Sequence, residues 1–238
     1  NGTFTFNDPV VISGSVRMIT ADQALEFSGN LNGTTAGAEN LILNTGNANI
    51  TFNGLVGNVT PLNVISLDSS GTITINQPVT SNSILTGTGG TTVIDTPSIS
   101  TVVTQSFNNA LLIIQITVFS TTNSNITFNG TVNSYDSSSA RTVGINAGSA
   151  AVAINGAVGG TNVLGATTIT GASFSIGLNG SIAMGANAIS ITTDAISLAG
   201  AISGTSTLAI APKTVTTTIG LGTTATGTLH LNDTELGK

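Results

Sequence analysis

The sequence predicts an all-β protein, a right-handed parallel β-helix (β-solenoid) of about ten coils with ~24 residues per coil, and three observations lead there. A seven-position pattern recurs along the chain: apolar, any, apolar, Asn or another small residue, Gly, any, apolar. Its clearest copies are Ile50-Thr51-Phe52-Asn53-Gly54 with Val56, Ile126-Thr127-Phe128-Asn129-Gly130 with Val132, Val152-Ala153-Ile154-Asn155-Gly156 with Val158, and Ile176-Gly177-Leu178-Asn179-Gly180 with Ile182. Apolar residues also alternate with Thr or Ser, as in Thr72-Ile73-Thr74-Ile75, which is the period of a strand. Finally, 29 glycines in 238 residues, each costing ~1 kcal/mol in a helix interior relative to alanine, leave helices no support.

Taken in order, the second apolar residue of each copy marks one coil: Phe6, Phe27, Phe52, Ile75, Ile99, Phe128, Ile154, Leu178, Leu198 and Leu221, at spacings of 20 to 29 residues. These ten are expected to form one core column. Residues two apart on a strand share a face, so both apolar positions point inward. The Asn-Gly that follows supplies the positive φ of a sharp bend, and the apolar residue four past the marker re-enters the core on the next face. A hairpin at Asn-Gly would reverse the chain, whereas identical corners at a fixed period are satisfied by stacking. Asn7, Asn53, Asn76, Asn129, Asn155 and Asn179 are then expected to form a ladder of side-chain amides along the axis. The repeat runs through residues 1–238 as a single solenoid unit. The chain starts at Asn1 without a Met, and a section of a longer protein or a filament subunit is expected.

Composition narrows the function. Charged residues are 6% of the chain, the net charge is −6, and Arg17, Arg141, Lys213 and Lys238 are the only cations, so the basic footprint of a nucleic-acid partner is missing. Without cysteine there are neither disulfides nor thiolate metal sites. Mean hydropathy is +0.39, yet the longest apolar run, Ala110 to Phe119, is broken by Gln115 and Thr117 and falls short of the ~20 residues of a spanning helix. A transmembrane barrel would bring aromatic girdles, and the chain has no Trp and one Tyr. No membrane insertion is expected.

Candidate chemistry is sparse. His230, Asp233 and Glu235 are the densest titratable group, and on a strand Asp233 and Glu235 would share a face; a solvated terminus, and the cover for an otherwise uncapped end, is the favoured role. Asp8, Asp22, Glu26, Glu39, Asp68, Asp95, Asp136 and Asp194 fall singly at different phases and do not converge. Gly87-Thr88-Gly89-Gly90 lacks the acid of a calcium-binding nonapeptide, so no metal and no cofactor are expected. Thr-x-Thr pairs do not recur at one phase of the markers, which argues against ice binding and leaves the threonines as outward strand positions. Among the Asn-x-Ser/Thr sequons, Asn32, Asn49, Asn58 and Asn125 are the glycosylation candidates.

At the Ile-Thr-Phe-Asn-Gly-x-Val unit and its continuation Gly160 to Gly165, the chain resembles the β-strand-repeat region of large bacterial surface proteins, the filamentous-haemagglutinin-like exoproteins and autotransporter passengers. The resemblance implies secretion to the bacterial cell surface or beyond, a β-helix shaft, and a role in adhesion or extracellular matrix, with a host-surface or matrix glycan as a possible partner. The expected function is a non-enzymatic structural or adhesive shaft that associates with itself end to end or continues covalently into further repeats. The alternative is a carbohydrate-active β-helix enzyme of the lyase or hydrolase kind, which requires clustered carboxylates in one groove.

Overall fold

The computed structural model describes residues 2–238, and the chain is a β-solenoid of about ten turns, each of about 21 residues. A coil has up to three strands, one per face. The first coil is β1 (Thr3–Phe6), β2 (Val10–Ile12) and β3 (Val16–Ile19), and the second is β4 (Ala24–Phe27), β5 (Leu31–Gly33) and β6 (Leu41–Asn44). In the third, β7 (Ile50–Phe52) and β8 (Leu62–Asp68) flank Val56, which bridges to Leu31 and Val79. The fourth has β9 (Thr72–Ile75) and the long β10 (Val79–Thr86), whose two halves serve the second and third faces. Five three-strand coils follow: β11 (Thr91–Ile94), β12 (Ser98–Thr101) and β13 (Gln105–Phe107); β14 (Ala110–Ile113), β15 (Thr117–Thr121) and β16 (Ile126–Phe128); β17 (Val132–Ser134), β18 (Val143–Asn146) and β19 (Ala151–Ile154); β20 (Ala157–Val158), β21 (Thr167–Thr170) and β22 (Ser173–Ile176); β23 (Ser181–Ala183), β24 (Ile189–Thr192) and β25 (Ala195–Leu198). The tenth coil holds β26 (Ile202–Ser203) and β27 (Leu208–Ala211). Beyond it, β28 (Ile219–Leu221) and β29 (Leu229–Leu231) pair only with each other and lead into a short helix, α1 (Asp233–Leu236).

Every strand pairing is parallel, as stacked coils require. The most regular column lies on the second face, where Val10, Leu31, Val56, Val79, Ile99, Phe119, Ile145, Ile169, Ile191 and Ile210 stand one above another. On the first face Phe6, Phe27, Phe52, Ile75, Ile94 and Ile113 are in register. On the third face Phe107, Phe128, Ile154, Ile176 and Leu198 follow one another. Ring stacking reinforces two columns: Phe27 lies between Phe6 at 4.9 Å and Phe52 at 5.3 Å, and Phe107 faces Phe128 at 5.5 Å while Phe119 meets both edge-on. Such pairs add ~0.5–1.5 kcal/mol each beyond the area they bury.

The single core column expected from the sequence is therefore three. Phe6, Phe27, Phe52 and Ile75 are on the first face, Ile99 is on the second, and Phe128, Ile154 and Leu198 are on the third. Two markers lie outside the core: Leu178 is 88% exposed in a turn and Leu221 is 60% exposed in β28. The cause is coil length. Coils 4 to 6 advance by 19 residues per turn on the first face, so the step of 24 from Ile75 overshoots Ile94 and lands on the next face. That drift also inflated the expected period. The bend itself is real but changes place: apolar-Asn/Ser-x-x-apolar turns the first face into the second at Phe6, Phe27, Phe52 and Ile75, and turns the third into the first at Phe107, Phe128 and Ile154.

Glycine is needed at these corners for a different reason from the one expected. Gly54, Gly130 and Gly156 do not have positive φ. A Cβ on Gly54 would instead overlap the carbonyl of Gly29 in the coil below, one on Gly130 that of Asn109, and one on Gly156 that of Gly130. The backbones of successive coils touch there, and only a residue without a side chain fits.

Candidate functional surface

The asparagines work between coils, on the surface. Asn76 Nδ2 donates to Asn53 Oδ1 at 2.7 Å, and Asn53 Nδ2 to Glu26 Oε1 at 2.9 Å. At the other corner Asn155 donates to Asn129 at 2.8 Å and Asn129 to Asn108 at 2.6 Å. The expected ladder is thus two short ladders on different corners. Asn7 and Asn179 belong to neither, since Asn7 lies on the exposed first coil and Asn179 in the turn after Ile176.

A second use of asparagine was not legible as such. Its side-chain carbonyl accepts from backbone N–H groups one coil further on: Leu55 on Asn30 at 2.9 Å, Val59 and Thr60 on Asn32 at 3.0 and 3.1 Å, Thr72 on Asn49 at 2.9 Å, Ala151 on Asn125 at 3.1 Å. Three of the four candidate sequons are such clamps or their partners' corners: Asn49 and Asn125 are exposed clamps, and Asn32 is a half-buried one whose Nδ2 reaches Asn58 at 3.3 Å. Asn58 is exposed. The signal they leave in the sequence is an Asn 23 to 28 residues before the corner or strand start that its carbonyl holds.

Many threonines turn inward rather than outward. Ser81, Thr101 and Thr121 are in register, buried, and donate to the carbonyls of Ser83, Val103 and Ser124. They fold the second face into the third. Thr86 and Thr92 donate to the buried side chain of Asn109 at 2.9 and 3.1 Å, and Gln105 Nε2 ties the carbonyls of Ile99 and Ser120 at 2.9 and 2.7 Å. These hydroxyls and amide groups are tolerated in the core because they are bonded, with the Gln105 Oε1 atom the exception that has no partner. Outward hydroxyls do recur at one phase once the true register is applied: Ser98 and Ser100, Thr168 and Thr170, Ser190 and Thr192 form two ranks on the second face, with Val118, Ser120, Gly144 and Asn146 between them.

The carboxylates hold turns and neighbouring coils. Asp22 accepts from Asn47 N, Asp68 from Asn44, Asp95 from Gln115, and buried Glu39 from the Thr34 hydroxyl at 2.6 Å and Thr35 N at 3.0 Å. The Thr34 hydroxyl outweighs the opposing effect of burial and holds the Glu39 carboxyl below its ordinary range. Asp136 is lowered first by the Ser138 hydroxyl and more weakly by Arg141, its partner at 3.4 Å in the one ion pair among the described residues. Asp194 is lowered by the hydroxyl and then the N–H of Thr214.

His230, Asp233 and Glu235 do not face one another as an acid and base. Asp233 and Glu235 sit in α1, not on a strand; Asn232 and Glu235 form a capping box at 3.0 and 3.1 Å, Asp233 accepts from Thr223, and His230 Nε2 contacts the Gly222 carbonyl. Glu235 Oε1 also accepts from Leu198 N at 3.1 Å, so this group covers part of the solenoid end. Among the described residues no three His, Asp or Glu side chains come close enough to hold a metal ion, and no helix is long and apolar enough to cross a membrane. No family model, curated protein or solved structure matches this chain.

Proposed function

We propose that the chain is a non-enzymatic structural or adhesive shaft, part of a secreted protein or filament at the bacterial surface. The observation that carries this reading is the use of its polar groups: Asn and Asp side chains bind the next coil, inward Thr hydroxyls turn corners, and among the described residues no three His, Asp or Glu side chains gather at one site. What the molecule offers outward is a long, nearly uncharged surface. Its second face, with two ranks of hydroxyl and amide residues interrupted by Val118 and Gly144, suits lateral contact with a matrix or host-surface glycan through hydrogen bonds rather than ion pairs.

The test pairs binding with turnover. Purified chain incubated with surface and matrix polysaccharides should be retained on some of them and release no new reducing or unsaturated ends. Sustained release of such ends, abolished by replacing one acid, would move the assignment to the carbohydrate-active enzyme. Retention should fall when Thr168 and Thr170 are both changed to Lys, which leaves the core beneath them untouched.

A further inference from the structure

The two ends of the solenoid differ. At the N-terminal edge Phe6, Val10, Val16 and Met18 are only half-buried, although Phe27, Leu31, Leu41 and Leu43, the same positions one coil further in, are fully buried. Strands β1 to β3 thus present an open ladder edge backed by apolar side chains.

At the other edge residues 212–238 leave the ladder. Asp194 anchors their start, accepting from Thr214 N and Oγ1 at 2.7 Å each and from Thr217 Oγ1 at 3.1 Å. Strand β29 lies against β25 without pairing to it, burying Leu229 and Leu231. The outward N–H of Leu198 is taken by Glu235 and that of Ile202 by the Lys238 carbonyl at 3.2 Å. One donor that a next coil would use on each of the third and first faces is therefore already occupied, while β27 on the second face stays exposed.

The geometry points to a built-in stop: residues 212–238 are a strap seated where an eleventh coil would go, and they keep a second copy of this chain from stacking on that end. Resting on the shaft reading, this gives the shaft a direction: the end at β25–β26 is closed, whereas among the described residues no strand covers β1–β3. When the strap leaves, the end accepts the N-terminal edge of another copy, β1 against β26 and β2 against β27, which lead the same two faces. Unpaired parallel edges join readily unless something covers them.

The full chain carrying Leu229→Asp and Leu231→Asp tests this. Amide exchange at Leu198 and Ile202 should quicken by ~10-fold or more, and sedimentation velocity should show head-to-tail oligomers where the unaltered chain stays small. Adding Phe6→Asp should return the released chain to its original size. Asn232→Ala with Glu235→Ala, which removes no core side chain, should act in the same direction if the double Asp change unfolds the chain. The proposal is overturned if exchange quickens without growth, if exchange does not change, or if the unaltered chain already forms open-ended fibres. None of those results touches the shaft reading, which stands or falls on polysaccharide turnover.

Discussion

Replacing Gly156 by alanine drives a methyl group into the carbonyl of Gly130, where the nearest atoms are all backbone of Gly130 and Asn129 and nothing flexible can yield. The expected cost is ~1–3 kcal/mol, the range for overpacking, read as a lower thermal midpoint. Asn155→Ala at the adjacent position removes one exposed amide bond and should cost no more than ~1 kcal/mol. The order matters more than the sizes: if Asn155→Ala proved the worse of the two, close approach of the coils would not be what selects glycine. A parallel contrast separates core from surface among the apolar markers. Phe128→Ala empties a site between Phe107 and Phe119 and should cost ~3–5 kcal/mol, whereas Leu178→Ala should stay within about 0.5 kcal/mol because that side chain stands in solvent.

The strap is the element whose attachment depends on acid. Thr214 holds the Asp194 carboxyl below its unfolded pKa of ~3.9, so the stabilisation is present above that value and is lost as pH falls through the lower folded value. Protection of the Thr214 amide, its exchange rate relative to the intrinsic rate at the same pH, should fall below about pH 4 and stay level across the neutral range; Asp194→Asn should lower that protection at neutral pH. Elements of this kind also show where reading from sequence ends. The strand–corner–strand unit was visible because Phe52-Asn53-Gly54-x-Val56 carries its own bend in adjacent residues. Which face a unit belongs to was not, because that depends on the lengths of all preceding coils, and the two 19-residue turns carried Ile99 and Phe128 onto other faces. The inward threonines were hidden for a related reason: Thr101 and Thr92 look like any outward strand threonine until the corner carbonyl or the Asn109 amide that satisfies them is in place. Residues 212–238 depart from the repeat, and their fold against β25 is a contact that no period announces.

At the scale of the whole molecule, stability is carried by columns and ladders with little charge. One ion pair among the described residues, itself partly exposed, gives salt almost nothing to screen. The thermal midpoint between 0.05 and 1 M sodium chloride should therefore move far less than in an ordinary domain, apart from the modest rise that salts cause by strengthening apolar burial. A pronounced fall would mean that surface charges contribute more than the geometry assigns to them.

The parallel ladder has a mechanical consequence. Because each coil bonds only to the coils above and below it, a load applied between the two ends meets one turn's worth of bonds at a time and peels the shaft from its weaker end. Each turn of about 21 residues lets out a chain some 70 Å long when fully extended. A single molecule stretched to failure would give a saw-tooth of up to ten small, evenly spaced drops in force. A shaft of this kind dissipates a sudden pull over a long extension and can re-stack afterwards, coil upon coil.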